Sequence, residues 1–289
     1  MIKSTTLRVF PADWDWRRCL PEAATVGYQG VEINFDGSLG LDCSVSELSE
    51  MRRSAQDNDL KIVSVYSRQQ WLIPISSRNP EKSRRGAEAI RQLIRIAAAL
   101  EAEMVLVIPG VVSNAILSPE EEIVPYDEAY DRSRETLAAL AGDAAEHGVI
   151  LALENVPGKF LLSPLEMRTF IDGIGSPAAA AYLDIANCVH NNGYPEQWIR
   201  ILGERIRNVH LKDYRTACPG MSGFVDIFEG DVDWGAVCQA LADIGYAGPL
   251  TSEVLPAYRH HPERLWCSAA EALSCLEKDI SDYMERKRQ

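Results

Sequence analysis

Apolar and polar positions in this 289-residue chain follow two alternating periods. Short runs rich in Val, Ile and Leu recur eight times: "LRVF" 7–10, "GVEINF" 30–35, "KIVSVY" 61–66, "EMVLVI" 103–108, "VILALE" 149–154, "AAYLD" 180–184, "IRNVHL" 206–211 and "PLTSEV" 249–254. Several are nearly continuous in apolar residues, the pattern of strands covered on both faces by other structure. The segments between them carry helical periodicity, clearest over 80–101, 126–147 and 233–245. Three helical segments close on a glycine just before the next strand, in "TVG" 25–27, "EHG" 146–148 and "DIG" 243–245. A glycine there is the usual helix stop.

Eight βα units with no linker or low-complexity segment predict one (β/α)8 TIM barrel domain over residues 1–289. The alternative is a doubly wound open sheet, which normally carries a glycine-rich ligand loop after an early strand. Neither GxGxxG nor GxxxxGKS/T occurs, so the barrel is preferred.

A barrel places its functional groups at the C-terminal ends of its strands. Four consecutive strand runs each bring one metal-competent side chain to that end: Glu154 in "LALEN", Asp184 in "YLDIAN", His210 in "NVHLKD" and Glu253 in "TSEV". Taken singly, each reads as a solvated strand-end acid or a satisfied core histidine. Taken together, three carboxylates in an apolar setting repel one another and are costly to desolvate unless paired or metal-bound. Oxygen ligands with one imidazole suit a single divalent cation, Mn²⁺, Co²⁺, Zn²⁺ or Mg²⁺. The imidazole is expected to turn Nε2 toward its acidic partners.

Charge narrows the partners. The formal net charge is −13, which disfavours a nucleic-acid partner. A local cluster can still oppose that sign. Lys212 and Arg215 in "HLKDYR", with Arg259, His260 and His261 beyond the last strand, could meet a phosphate. Equally, Lys212 and Arg215 could pair with loop acids such as Asp213 or Asp226. The seven cysteines form no CxxC pair, and their odd number in a long chain argues for reduced thiols in a cytoplasmic protein. No apolar stretch suggests a signal peptide or a membrane span.

"ALENV", "LDIAN", "NVHLKDY", "FEGDVDW" and "GYAGPLTSEV" resemble the sugar-phosphate isomerase/epimerase superfamily of xylose isomerase-like barrels. That group includes D-tagatose/psicose 3-epimerases, L-ribulose-5-phosphate 3-epimerases, hydroxypyruvate isomerases and inosose dehydratases. The likeness runs over nearly the whole chain, with "GVEINF" early and "IAAALEAEMVLVIPG" in the middle. It implies that Glu154 and Glu253 ligate the metal and act as the two acid/base groups, while Asp184 and His210 complete the ligand set. Free-sugar 3-epimerases usually carry a substrate-contacting His where this chain has Asn187. That departure favours a phosphorylated substrate, and His190 is out of register to replace it.

The implied activity is metal-dependent isomerisation or epimerisation of a ketose or ketose phosphate, through proton abstraction and return by way of an enediolate. The alternative is a dehydratase of the inosose or dehydroshikimate kind. Asn187, Lys212, Arg215, Glu32 and Tyr66 are expected to line the substrate pocket, and Trp71 either caps it or plugs the core edge. The family likeness also implies a homodimer or homotetramer.

Overall fold

A computed structural model describes all residues except 37–38, 116–121, 255–257, 259 and 289. Arg259 of the basic cluster therefore lies outside the described residues. The elements in chain order are β1 (Ile2–Thr6), α1 (Trp16–Val26), β2 (Gly30–Asn34), α2 (Val45–Asp57), β3 (Lys61–Tyr66), α3 (Gln69–Leu72) and α4 (Pro80–Ala99). There follow β4 (Met104–Val107), α5 (Tyr126–Glu146), β5 (Ile150–Glu154), α6 (Pro164–Ile174), β6 (Ala179–Asp184), α7 (Ile185–His190) and α8 (Pro195–Leu202). The last elements are β7 (Ile206–Leu211), β8 (Asp213–Tyr214), β9 (Phe224–Val225), α9 (Trp234–Asp243), β10 (Pro249–Ser252) and α10 (Glu263–Arg288).

Eight strands close into a barrel in the order β1-β10-β7-β6-β5-β4-β3-β2, and β8 and β9 form a separate two-stranded hairpin. The barrel reading of the hydrophobic pattern is therefore met. Seven of the eight apolar runs fall on barrel strands, with ends shifted by a residue or two. The exception is the first. "LRVF" forms a 3₁₀ turn over Leu7–Val9, and the strand precedes it as "IKSTT".

The reason is a polar interior at this edge. Ser4 lies opposite Thr251 in the parallel register of β1 and β10, and Thr251 lies opposite His210 in β7. The Ser4 and Thr251 hydroxyls are 2.6 Å apart, Thr251 Oγ1 donates to Asn208 Oδ1 at 2.9 Å, and Ser252 Oγ donates to Thr5 Oγ1 at 2.9 Å. All of these side chains are buried. Hydroxyls that satisfy one another can occupy core positions that a hydrophobicity pattern assigns to solvent.

Local signals set the helix ends. Asp15 caps α1, Asn79 caps α4 ahead of Pro80, Ser163 caps α6 ahead of Pro164, and Asp233 caps α9. The three glycines read as helix stops, Gly27, Gly148 and Gly245, all hold positive φ (97°, 67° and 67°), where an L side chain would be strained.

The chain groups into two compact units: residues 1–32, 54–61 and 182–289, and residues 33–53 and 62–181. In the first, Phe10 packs against Trp14 and Trp266, with ring centroids 5.9 and 5.1 Å away. In the second, Phe160 and Phe170 meet edge-on at 5.7 Å and Tyr130 meets Phe170 at 5.0 Å. All seven cysteines are free, and burial pushes the Cys19 and Cys238 thiols up to about 12, leaving them protonated and unreactive. Among the described residues, no helix is long and apolar enough to cross a membrane.

The hydroxyl network makes a stability prediction. Thr251→Val keeps the shape of the side chain but removes its bonds to Ser4 and Asn208. It is expected to lower unfolding free energy by about 1–3 kcal/mol with an unchanged denaturant slope. Urea unfolding followed by circular dichroism checks this; undiminished stability would show the hydroxyl layer to be incidental.

Candidate active site

His210 is the second-last residue of β7 and its side chain is 0 % exposed. Its two ring nitrogens face different carboxylates. Nδ1 lies 3.6 Å from Glu253 Oε2 and 3.9 Å from Asp184 Oδ2, while Nε2 lies 3.5 Å from Glu32 Oε2. The nitrogen turned to the acids at the strand ends is thus Nδ1 and not Nε2. Glu32 explains the choice. It is buried within β2, receives the Tyr182 hydroxyl at 2.9 Å, and meets the far edge of the imidazole. The Tyr182 ring packs on the imidazole at 4.4 Å and limits its rotation.

Asp184 ends β6 and serves two structures at once. Its Oδ1 accepts the Asn187 backbone N–H at 2.8 Å, capping α7, which leaves Oδ2 to face His210. Glu253 is the first residue beyond β10, anchored by its N–H to Leu211 O at 3.1 Å. Its side chain is 15 % exposed and lies 3.5 Å from Arg8 Nη1. Glu154 closes β5 and is buried. Glu154, Asp184, His210 and Glu253 each offer one ligand atom, and those atoms all lie within 4.8 Å of one another.

Lys212 is the unexpected member. Its Nζ bonds Asp184 Oδ2 and, at 2.6 Å, Glu253 Oε2, and its side chain is only 9 % exposed. Burial pushes the Glu253 carboxyl up, but Lys212, His210 and Arg8 outweigh it and hold the group down at about 2. Glu253 is therefore ionised at every pH at which the protein is expected to work.

Asn187 is buried in the first turn of α7, and its backbone N–H is the group that Asp184 caps. Tyr66 is buried at the end of β3. Trp71 is buried on α3 and packs in the core. Arg215 is exposed and bound to its own loop, with Nε donating to Glu229 O at 2.8 Å and Nη2 3.3 Å from Glu229 Oε2. Its partner is Glu229, whereas Asp213 and Asp226 were the acids expected from sequence.

Asp213 is instead a buried organiser of the loop after β7. Its carboxylate accepts the N–H groups of Tyr214, Phe228 and Val232 and the Trp234 indole N–H at 2.8–3.2 Å. A Cβ at Gly230 would collide with that carboxylate, which accounts for the glycine in "FEGDVDW". Sequence reasoning missed Arg8 and Tyr182 in this neighbourhood and gave Asp213 another role, as an ion-pair partner of Lys212 or Arg215. Arg8 left one signal, a lone cation in an otherwise apolar run.

Residues 20–275 match the xylose isomerase-like TIM barrel family, and the chain belongs to it. It is 24% identical to the D-psicose 3-epimerase of Enterocloster bolteae over 83% of this chain and 76% of that protein. It is also 24% identical to an Escherichia coli protein provisionally named L-ribulose-5-phosphate 3-epimerase, over 84% of each. The solved structure of an L-ribulose 3-epimerase superposes with a TM-score of 0.81 at 20% identity, covering 100% of this chain and 98% of that one. The fold expected from sequence and the family resemblance both stand.

The depressed Glu253 carboxyl has a measurable consequence. A group whose folded value lies below its ordinary value of 4.5 contributes stability above that pH and loses it as pH falls toward 2. In metal-free protein, the wild-type urea midpoint should therefore drop more steeply between pH 4.5 and 2 than that of Glu253→Gln. Parallel curves would contradict the pairing.

Proposed function

We propose that this protein is a divalent-metal-dependent epimerase or isomerase of a small ketose or ketose phosphate, with Mn²⁺ as the leading metal. The observation that carries the reading is the convergence of three carboxylate oxygens and one imidazole nitrogen within 4.8 Å. That donor set fits a hard or borderline divalent cation. Lys212 and Arg8 bring positive charge to Asp184 and Glu253 in this acidic cup, and a divalent cation would bring more. The sugar 3-epimerases among its relatives support the substrate class.

When bound, the cation would polarise the ketose carbonyl and its neighbouring hydroxyl as a Lewis acid. The chain supplies the rest. Glu154 and Glu253 are the proton carriers: one carboxylate oxygen takes the weakly acidic C–H proton beside the carbonyl, and the other carboxyl returns a proton. Glu253, kept ionised by Lys212, His210 and Arg8, is ready to accept. Asp184 and His210 would hold the cation, and Glu32 with Tyr182 fixes the imidazole so that Nδ1 faces Asp184 and Glu253. Asn187 and Tyr66 contribute to the substrate pocket. Departure of a hydroxyl from the same intermediate would make the reaction a dehydration.

The direct test incubates Mn²⁺-loaded protein with D-psicose, D-tagatose, L-ribulose and their phosphates in D₂O. Deuterium at the carbon beside the carbonyl, with no loss of water by mass, is the expected result. Water loss would establish the dehydratase, and absence of exchange with every sugar would reject the reading. Glu154→Gln should lower turnover about 10²–10⁴-fold without unfolding the protein. Retention of more than about a tenth of the wild-type rate would remove Glu154 from the proton path. His210→Ala should weaken Mn²⁺ binding by at least about tenfold in calorimetric titration, and unchanged affinity would exclude it as a ligand.

A further inference from the structure

We propose that Lys212 is a built-in counter-ion. It holds the carboxylate cup together in the metal-free protein and releases Asp184 and Glu253 when a divalent cation binds. The inference rests on the metal-dependent reading above and adds a function for a residue outside the ligand set.

The argument begins with which atoms are shared. Lys212 Nζ bonds Asp184 Oδ2 and Glu253 Oε2. These are the two oxygens that face His210 Nδ1, at 3.9 and 3.6 Å. An ammonium and a divalent ion bonded to that same pair of oxygens would lie roughly 4 Å apart with like charge in a largely buried site, so a bound cation opposes the lysine's hold on them. The chain itself delivers the ammonium there. Lys212 follows His210 by two residues, and alternate residues of an extended chain project from the same face. "HLK" thus presents an imidazole and an ammonium to one cluster of acids.

The lysine also has somewhere else to go. Its Nζ lies 5.4 Å from the centre of the Phe224 ring on β9, and His190 stacks on that ring at 5.5 Å with the planes 13° apart. An aromatic ring is a weaker partner for an ammonium than two carboxylates. A bound divalent cation would shift the ammonium from the acids toward that ring.

Two consequences separate this role from that of an ordinary structural ion pair. Lys212 should stabilise the metal-free protein and contribute little to the metal-bound one. It should also weaken metal binding, because part of the population is occupied by the ammonium. The experiment compares wild type, Lys212→Met and Lys212→Gln by thermal unfolding with and without saturating Mn²⁺, and by calorimetric titration with Mn²⁺. The expected result is a lowered Tm for the metal-free variants, recovery to near wild-type Tm with Mn²⁺, and affinity tighter by about tenfold. Equal loss of Tm in both states, or Mn²⁺ affinity no tighter than wild type, would overturn the counter-ion role while leaving the metal site standing. Absence of Mn²⁺ uptake by wild type and variants alike would reject the metal-dependent reading together with this inference.

Discussion

Crowded negative charge is the constraint on which this structure turns. Asp184 and Glu32 are buried, Glu253 is partly exposed, and all three point at one imidazole. Carboxylates taken out of water in that number are strongly unfavourable unless cations answer them. Lys212 and Arg8 answer part of that charge at Asp184 and Glu253, and the proposed divalent cation would answer more. Chemistry and stability therefore depend on the same electrostatic balance.

The fold supplies rigidity to that balance through groups that do two jobs. Asp184 caps a helix with one oxygen and presents the other to the cluster, so its orientation is fixed before any ligand arrives. Glu32 holds the back of the imidazole and is itself held by Tyr182. Asp213, one residue past Lys212, gathers three backbone N–H groups and an indole N–H, fixing the loop that carries the lysine forward. Around the β1–β10–β7 edge, a layer of paired hydroxyls replaces apolar packing.

Much of this was legible in the sequence because the relevant signals are local. Seven apolar runs, three stopping glycines and one acid or imidazole near the end of each of four consecutive strands suffice to predict the barrel and its candidate ligands. What was not legible depends on partners distant in the chain. "IKSTT" reads as polar because Ser4 and Thr5 pair their hydroxyls with a strand about 245 residues away, so the neighbouring "LRVF" took its place. The ring nitrogen of His210 is chosen by Glu32, and no pattern within "NVHLKDY" contains that information. Lys212 and Arg215 stand three residues apart and looked alike as phosphate cations. One instead binds the buried acids and the other its own loop, a difference set by which way each side of the chain faces.

The proposed cation site unites the four strand-end residues. Its most direct test is an anomalous difference map from crystals grown with Mn²⁺. A single peak is expected in the cup, with the oxygens of Glu154, Asp184 and Glu253 and the Nδ1 of His210 at about 2.0–2.4 Å. A map without a peak there, or with the metal bound elsewhere while Lys212 keeps both carboxylates, would contradict it.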